Sequence, residues 1–113
     1  QALLAEPAPA RAAISLRAEP LVARDEPVEA TLTLRDATAP AGLVMTLDPV
    51  DPSQRRASQE VIVTPDAPST IRFEGLAPGL YRIQVRIKGR MKGAPTPINS
   101  MVEIADATMA DMA

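Results

Sequence analysis

Apolar and polar residues alternate along most of this chain, which is the pattern of strands rather than helices. The alternation is clearest in residues 75–89, GLAPGLYRIQVRIKG. There a Gly-Leu-x-Pro-Gly-x-Tyr turn leads into apolar residues at 81, 83, 85 and 87 and polar residues at 82, 84, 86 and 88. Successive side chains of a strand point to opposite faces of the sheet. These residues therefore predict a strand with one face in the core and the other in solvent.

Six further stretches show a strand pattern and are separated by turn-forming residues. Twelve prolines and five glycines leave few uninterrupted segments long enough for a stable helix. Seven short strands with turns between them are typical of an antiparallel sandwich. We therefore predict an all-β fold, a single antiparallel β-sandwich of seven strands. The six further strands are residues 12–19, 27–34, 42–47, 58–64, 70–73 and 98–104.

The end of the chain permits a second interpretation. Residues 98–113 contain neither glycine nor proline, and Met101, Met109 and Met112 would line one face of a helix. Ser100 and Glu103 also have the spacing of a helix capping box. The alternation over 98–104 favours a strand, because a sandwich needs a closing strand. The helix stays an alternative.

The two ends differ in composition from the region between them. Residues 1–11, QALLAEPAPAR, are rich in alanine and proline and lack periodicity, which predicts a flexible arm or linker. Docking of Leu3 and Leu4 on a neighbouring subunit is the alternative interpretation. We predict the folded sandwich over 12–104 and a flexible tail over 105–113.

Composition adds limits to this picture. Phe73 and Tyr81 are the only aromatic residues, so we expect both to be at least partly buried. The formal net charge of −2 is that of neither a strongly basic nucleic-acid binder nor an acidic tail protein. The chain has no apolar run near the roughly 18 residues of a membrane span, so we expect no membrane insertion.

The residue types that carry most enzyme chemistry are missing. Cysteine and histidine are absent, which excludes disulfides, thiolate nucleophiles, Cys-ligated zinc and the commonest general base. No serine lies in a Gly-x-Ser-x-Gly elbow, and the only lysines, Lys88 and Lys92, lie on or just past a strand face expected to be exposed. We therefore predict a protein that is not an enzyme and has no cofactor.

Two residue groups are candidate metal ligands. Asp48 and Asp51, in LDPVDPS, lack the dense acidic spacing and the glycine of a calcium loop, which favours aspartates that form turns before proline. The late methionines could ligate copper(I), but core filling or subunit docking is the favoured interpretation. These methionines are Met91, Met101, Met109 and Met112. We predict no metal site.

The turn before residue 81 carries a family resemblance. Leu76, Pro78, Gly79 and Tyr81, with the alternation that follows, resemble the tyrosine corner of immunoglobulin-like and fibronectin type III-like sandwiches. The resemblance implies that Tyr81 opens the sixth strand and that its hydroxyl bonds back to nearby backbone. The chain has no tryptophan and no cysteine pair, and in this it departs from the antibody-type pattern.

A weaker similarity is to the immunoglobulin-like domains of phage-tail-like assemblies. These carry a Pro/Ala-Gly-x-Tyr-x-Val-x-Val strand followed by an Asp-Gly turn, where this chain has Lys88 and Gly89. The sandwich pattern, the missing catalytic residue types and the alanine- and proline-rich residues 1–11 together predict a non-enzymatic structural or adhesive module in a larger extracellular, filament or phage-tail-like assembly. We expect other protein subunits as partners, in a homo-oligomer or filament, and an extracellular or particle-associated location.

A row of cations is the other candidate interaction face. Its members occupy even-numbered positions, so a continuous strand would present them on one side. The row either binds an anionic polymer or an acidic protein surface, or is simply the solvated face of a strand. No aromatic residue lies between the cations, so nucleic acid is not an expected partner. The members are Arg82, Arg86, Lys88, Arg90 and Lys92.

Overall fold

A computed structural model describes residues 12–89 and 94–112, which form eight strands and one helical turn. The all-β class is confirmed. The predicted arm of residues 1–11 lies outside the described residues, as do Met91, Arg90 and Lys92. The elements are β1 (Ala13–Ala18), β2 (Leu21–Val22), β3 (Val28–Arg35), β4 (Ala41–Pro49), β5 (Ala57–Val63), β6 (Ser69–Phe73), β7 (Gly79–Ile87), β8 (Ile98–Ile104) and α1 (Met109–Met112).

The strands form two sheets. One sheet has three strands in the order β1-β3-β6, and the other has five in the order β2-β8-β7-β4-β5. Strands that are neighbours in a sheet pair antiparallel, except that β2 pairs parallel to β8. Strand β7 lies at the centre of the larger sheet, between β8 and β4.

Strand β2 differs from the predicted seven-strand antiparallel arrangement. After β1 the chain passes Pro20 and joins the opposite sheet, where the Pro20 carbonyl accepts the Glu103 amide at 2.9 Å. The Val22 carbonyl accepts the Ala105 amide at 2.8 Å, which continues the parallel pairing. A strand of two residues is too short to show alternation, so the sequence pattern missed it.

The inward faces of the two sheets share one hydrophobic core. On β3 every second residue from Val28 to Leu34 is at most 1% exposed, as the alternation predicts. Phe73 and Tyr81 are 3% and 1% exposed, so both aromatic residues are buried as expected. The five-stranded sheet contributes Leu43, Met45, Leu47, Val63, Ile83, Val85, Val102 and Ile104 to the same cluster.

Residues 98–104 form a strand and not a helix. Val102 pairs with Tyr81 and Ile104 with Gly79 on β7, and both apolar side chains are buried. The cross-strand pairing and the core contacts outweigh the helical spacing of the methionines. Helical structure is confined to Met109–Met112 within the described residues.

Residues 105–112, predicted as part of a flexible tail, contact the loop after β2. The amide of Arg24 donates to the Ala107 carbonyl at 2.8 Å, and the amide of Met109 donates to Asp25 Oδ1 at 3.0 Å. The helical turn begins after Thr108, whose amide and hydroxyl both donate to the Asp111 carboxylate. These two bonds, the amide bond first, lower the pKa of Asp111.

Hydrogen bonds fix the turn that leads into β7. The Tyr81 hydroxyl donates to the Ala77 carbonyl at 2.7 Å, a bond of the kind that the tyrosine-corner resemblance implies. The Gln54 side chain, from the loop between β4 and β5, donates to the Pro78 carbonyl at 2.8 Å. Gly79 has a φ of 147°, and a Cβ atom there would lie 2.9 Å from the Gln54 Oε1 atom. The φ therefore favours glycine at this position, and a Cβ atom would in addition displace the end of the Gln54 side chain from its place beside Pro78.

Replacing Tyr81 with phenylalanine tests the hydroxyl bond. Burial raises the pKa of Tyr81 above its ordinary value of about 10, so the neutral phenol stabilises the folded state below pH 10 and this contribution is lost as pH rises further. We expect Tyr81→Phe to lower the free energy of unfolding by about 1 kcal/mol at neutral pH. The difference between the two proteins should shrink above pH 10. Denaturant unfolding at several pH values measures it, and a constant difference would contradict the prediction.

A pair of glycine substitutions tests the preference for glycine at position 79. Gly79→Ala places an L side chain at a strained φ and against Gln54, so we expect a loss of about 2 to 3 kcal/mol in unfolding free energy. Gly75→Ala is the matched control, because Gly75 also has a positive φ, 71°, but a Cβ atom there would meet no neighbouring side chain or backbone within 4 Å. We expect about 1 kcal/mol there. Equal losses in thermal or denaturant unfolding would contradict the larger cost expected at position 79.

Candidate interaction surface

The side of the five-stranded sheet that points away from the core carries the described members of the predicted cationic row. We call this side the outer face. Strand register defines its members, because residues paired across neighbouring strands share a face. The outer face comprises Leu21, Gly42, Val44, Thr46, Asp48, Ser58, Glu60, Ile62, Leu80, Arg82, Gln84, Arg86, Lys88, Asn99, Met101 and Glu103.

The structure places three members of the predicted cationic row on the outer face. Arg82 and Arg86 are exposed residues of β7, between the buried positions 81, 83 and 85. Lys88 follows directly after β7, and its amide donates to the Gly42 carbonyl at 2.8 Å, which continues the pairing with β4. Arg90 and Lys92 lie outside the described residues. The described part of the row is therefore one lysine and two arginines.

Carboxylates lie beside these cations. The Lys88 amine forms an ion pair with Glu60 Oε2 at 2.6 Å, and Arg82 lies opposite Asp48 in the β4 register. The third carboxylate is that of Glu103 on β8, which pairs with Leu80 on β7. The cations Arg82, Arg86 and Lys88 are thus matched in number by Asp48, Glu60 and Glu103. The outer face is mixed in charge rather than basic.

The two arginines differ from Lys88 in their partners. Among residues 12–89 and 94–112, the ion pairs within 4.0 Å include Lys88 with Glu60 but neither Arg82 nor Arg86. Both arginine side chains are exposed. Their guanidinium groups are therefore available to a carboxylate from outside the described chain, and guanidinium groups bind carboxylates with two parallel hydrogen bonds.

An apolar patch lies at one end of the outer face. Leu21 on β2 and Leu80 on β7 lie on either side of Glu103 on β8. Met101, also on β8, pairs with Arg82 on β7. The Val50 amide donates to the Leu80 carbonyl at 2.9 Å, so Val50 lies next to Leu80. We call these four apolar residues the apolar patch. Their exposures are 49% for Leu21, 41% for Val50, 42% for Leu80 and 41% for Met101.

The other sheet presents a different surface. Across the described residues, every large apolar side chain that is exposed lies on the five-stranded sheet, in the loop after β4 or on α1. On the three-stranded sheet Arg72 forms ion pairs with Glu29 at 3.8 Å and Glu74 at 2.9 Å. The charge of Arg72 is therefore paired with carboxylates that lie next to it in the same chain. The apolar patch is therefore a feature of one side of the molecule, whereas exposed arginines without an ion pair among the described residues lie on both sheets, Arg17 and Arg35 on the three-stranded one.

An acidic cleft lies at the edge of the five-stranded sheet, beside the helical turn. Its volume is about 320 Å³, and apolar residues form much of its wall. Glu29, on its rim, already pairs with Arg72. The lining residues are Glu19, Leu21, Val22, Ala23, Glu26, Pro27, Glu29 and Met109.

The two aspartates considered as metal ligands have other surroundings. The Asp51 carboxylate accepts the Ser53 amide at 2.9 Å and the Ser53 hydroxyl at 2.8 Å, and these bonds, the amide bond first, lower the pKa of Asp51. Asp51 therefore forms a turn, as predicted, whereas Asp48 lies within β4. In the described ranges, no group of three or more acidic side chains is arranged to hold a metal ion.

The methionines divide between core and surface. Met45 is completely buried, while Met101, Met109 and Met112 are 41%, 52% and 42% exposed. Core filling is therefore wrong for these three, because Met101 points outward from β8 and the other two lie on α1. Docking stays a prediction for them. Met91 lies outside the described residues.

Comparisons with known proteins give no relative for this chain: no family model matches it, and no curated protein has a significantly similar sequence. Within the described part, no helix has the length and apolar character needed to cross a membrane.

Proposed function

We propose that this chain is an immunoglobulin-like β-sandwich module with a non-enzymatic structural or adhesive role in a larger assembly, and that it contacts protein partners through the outer face. The observation that carries this proposal is the difference between the two sides of the molecule. One side exposes an apolar patch beside Arg82, whereas the described residues of the three-stranded sheet expose no large apolar side chain.

The strand order supports the sandwich assignment. Immunoglobulin-like sandwiches place their first, second and fifth main strands in one sheet and the third, sixth and seventh in the other. With the short β2 set aside, the orders β1-β3-β6 and β8-β7-β4-β5 agree with this scheme for these six strands, whereas the fourth main strand, β5, pairs with β4 and not with the fifth main strand as in the constant-type sandwich. Tyr81 lies near the start of β7 and its hydroxyl bonds back to Ala77, which supports the comparison with a tyrosine corner.

The chemistry of the outer face favours a protein as partner. Arginine and methionine are enriched where proteins meet, and an exposed apolar cluster with a polar rim is a common mark of such a surface. Leu80 and Met101 supply the apolar part beside Arg82. Equal numbers of positive and negative groups suit another folded protein better than a uniformly charged polymer.

Site-specific photo-crosslinking tests the proposed function in cells that make the protein. A photoreactive residue at position 101 reports on the outer face, and one at position 70, an exposed site on β6, is the matched control on the other sheet. We expect discrete protein adducts from position 101 and few from position 70. Adducts of equal yield from both positions, or none from position 101, would overturn the proposal.

Recognition of an anionic polymer is the second candidate function, and exposed Arg82 and Arg86 favour it. Three carboxylates on the same face weaken it. Two phosphate contacts would give a slope of only about −2 in a plot of log affinity against log salt. We therefore expect no measurable binding to heparin or duplex DNA at physiological salt. Binding that is lost in Arg86→Glu but kept in Arg17→Glu, on the other sheet, would establish the second candidate instead.

A further inference from the structure

We propose that the outer face binds a second copy of this chain, sheet against sheet, about a two-fold axis that runs along the strands between β4 and β7. This inference rests on the proposed function and names the partner for the same surface. In such an arrangement β7 of each copy lies over β4 of the other, and the same residues form both halves of the contact.

The register of β4 and β7 determines which side chains would meet. Residues opposite each other in one copy also face each other across this axis. Arg82 of one copy therefore faces Asp48 of the second copy, and the reverse contact is formed by symmetry. Leu80 faces Val50 of the second copy, because these two residues are also neighbours in the ladder. At these two positions the axis brings charge against opposite charge and apolar against apolar, while Arg86 faces Val44 of the second copy.

Charge balance is the reason to choose a second copy as the partner. A face of one sign repels its own copy, whereas a face with cations and carboxylates in equal number can complement itself. Arg82 has Asp48 opposite it in the sheet but is not among the ion pairs formed within the described residues. In the paired arrangement Arg82 and Asp48 of the two copies alternate around the axis. Each Arg82 guanidinium then lies beside Asp48 of its own sheet and faces Asp48 of the second copy.

The apolar patch supplies the attraction that the charges alone lack. Exposed charge pairs contribute little to affinity because water and salt screen them, but they fix the register of a contact. Burial of Leu80 and Val50 against each other removes apolar surface from water. Met101, beside Arg82 on β8, extends this contact toward the edge of the sheet.

The size of the face sets the expected strength. Four strands of each copy overlap in this arrangement. With about 4.8 Å between neighbouring strands they span roughly 19 Å across the sheet, and with about 3.4 Å per residue over about seven residues they span roughly 24 Å along the strands. The projected area of about 450 Å² per copy is at the small end for specific interfaces. We therefore expect a weak, reversible dimer whose fraction rises with protein concentration.

Charge-exchange variants test the pairing of Arg82 with Asp48. In sedimentation equilibrium of the whole chain, we expect wild type to self-associate weakly and Arg82→Asp or Asp48→Arg to reduce association at least tenfold. The double variant should regain it, because the opposite charges meet again in exchanged positions. Arg17→Asp, on the other sheet, should leave association unchanged. Failure of the double variant to recover, with its thermal unfolding unaltered, would overturn the inference.

A distance measurement tests the axis without altering the charges. The chain has no cysteine, so Gln84→Cys provides a single site for a spin label on the outer face. The axis separates the two labelled backbone positions by one sheet spacing of about 10 Å and, at right angles to it, one strand spacing of about 4.8 Å. The distance between them is therefore about 11 Å. We expect strong dipolar broadening at high concentration for this label and none for one at Thr70→Cys. Broadening at Thr70→Cys alone would contradict the axis.

The crosslinking and association results separate the two proposals. A wild-type chain that stays monomeric at millimolar concentration, with adducts from position 101 to a different protein, overturns the second-copy inference and leaves the proposed function standing. A monomer without adducts from position 101 overturns both. An adduct between two copies from position 101 supports both.

Discussion

The side chains of β7 divide between two environments, because successive residues of an extended strand point to opposite faces of its sheet. Tyr81, Ile83 and Val85 are buried in the core, while Arg82 and Arg86 between them are exposed. Since β7 lies between β8 and β4, its inward residues connect the larger sheet to the core and its outward residues occupy the middle of the outer face. The same packing that stabilises the fold therefore positions the arginines.

This division depends on the register of β7, and the turn before it fixes that register. A shift by one residue would move the apolar side chains into solvent and bring the arginines into the core. The Tyr81 hydroxyl bonds to the Ala77 carbonyl at the start of the strand. The Gln54 side chain, from the loop between β4 and β5, bonds to the Pro78 carbonyl. Local turn chemistry and a long-range contact thus agree on one register. Because the register is fixed, the same side chains of β7 always lie on the outer face.

The sequence predicts the parts of this structure that rest on local rules. Alternation located β3 and β7, and proline with glycine located the turn at Pro78 and Gly79. The balance of charge on the outer face was not predictable in this way. It arises because β4 and β8 bring Asp48 and Glu103 beside β7 from distant parts of the chain. Pairing across such distances leaves no periodic signal, so a row that is basic in sequence becomes mixed in the sheet.

One edge of the five-stranded sheet, strand β5, is protected against pairing with another chain. An exposed edge strand offers free backbone groups to other chains, and charged or covering side chains on it oppose such pairing. On the edge strand β5, Glu60 pairs with Lys88, and the Gln59 side chain donates to the Arg72 carbonyl of β6 at 2.6 Å. These contacts place charge on the edge and connect it to the neighbouring sheet. Because β5 is protected in this way, the contact that we propose for Leu80 and Met101 uses the face of the sheet and not this edge.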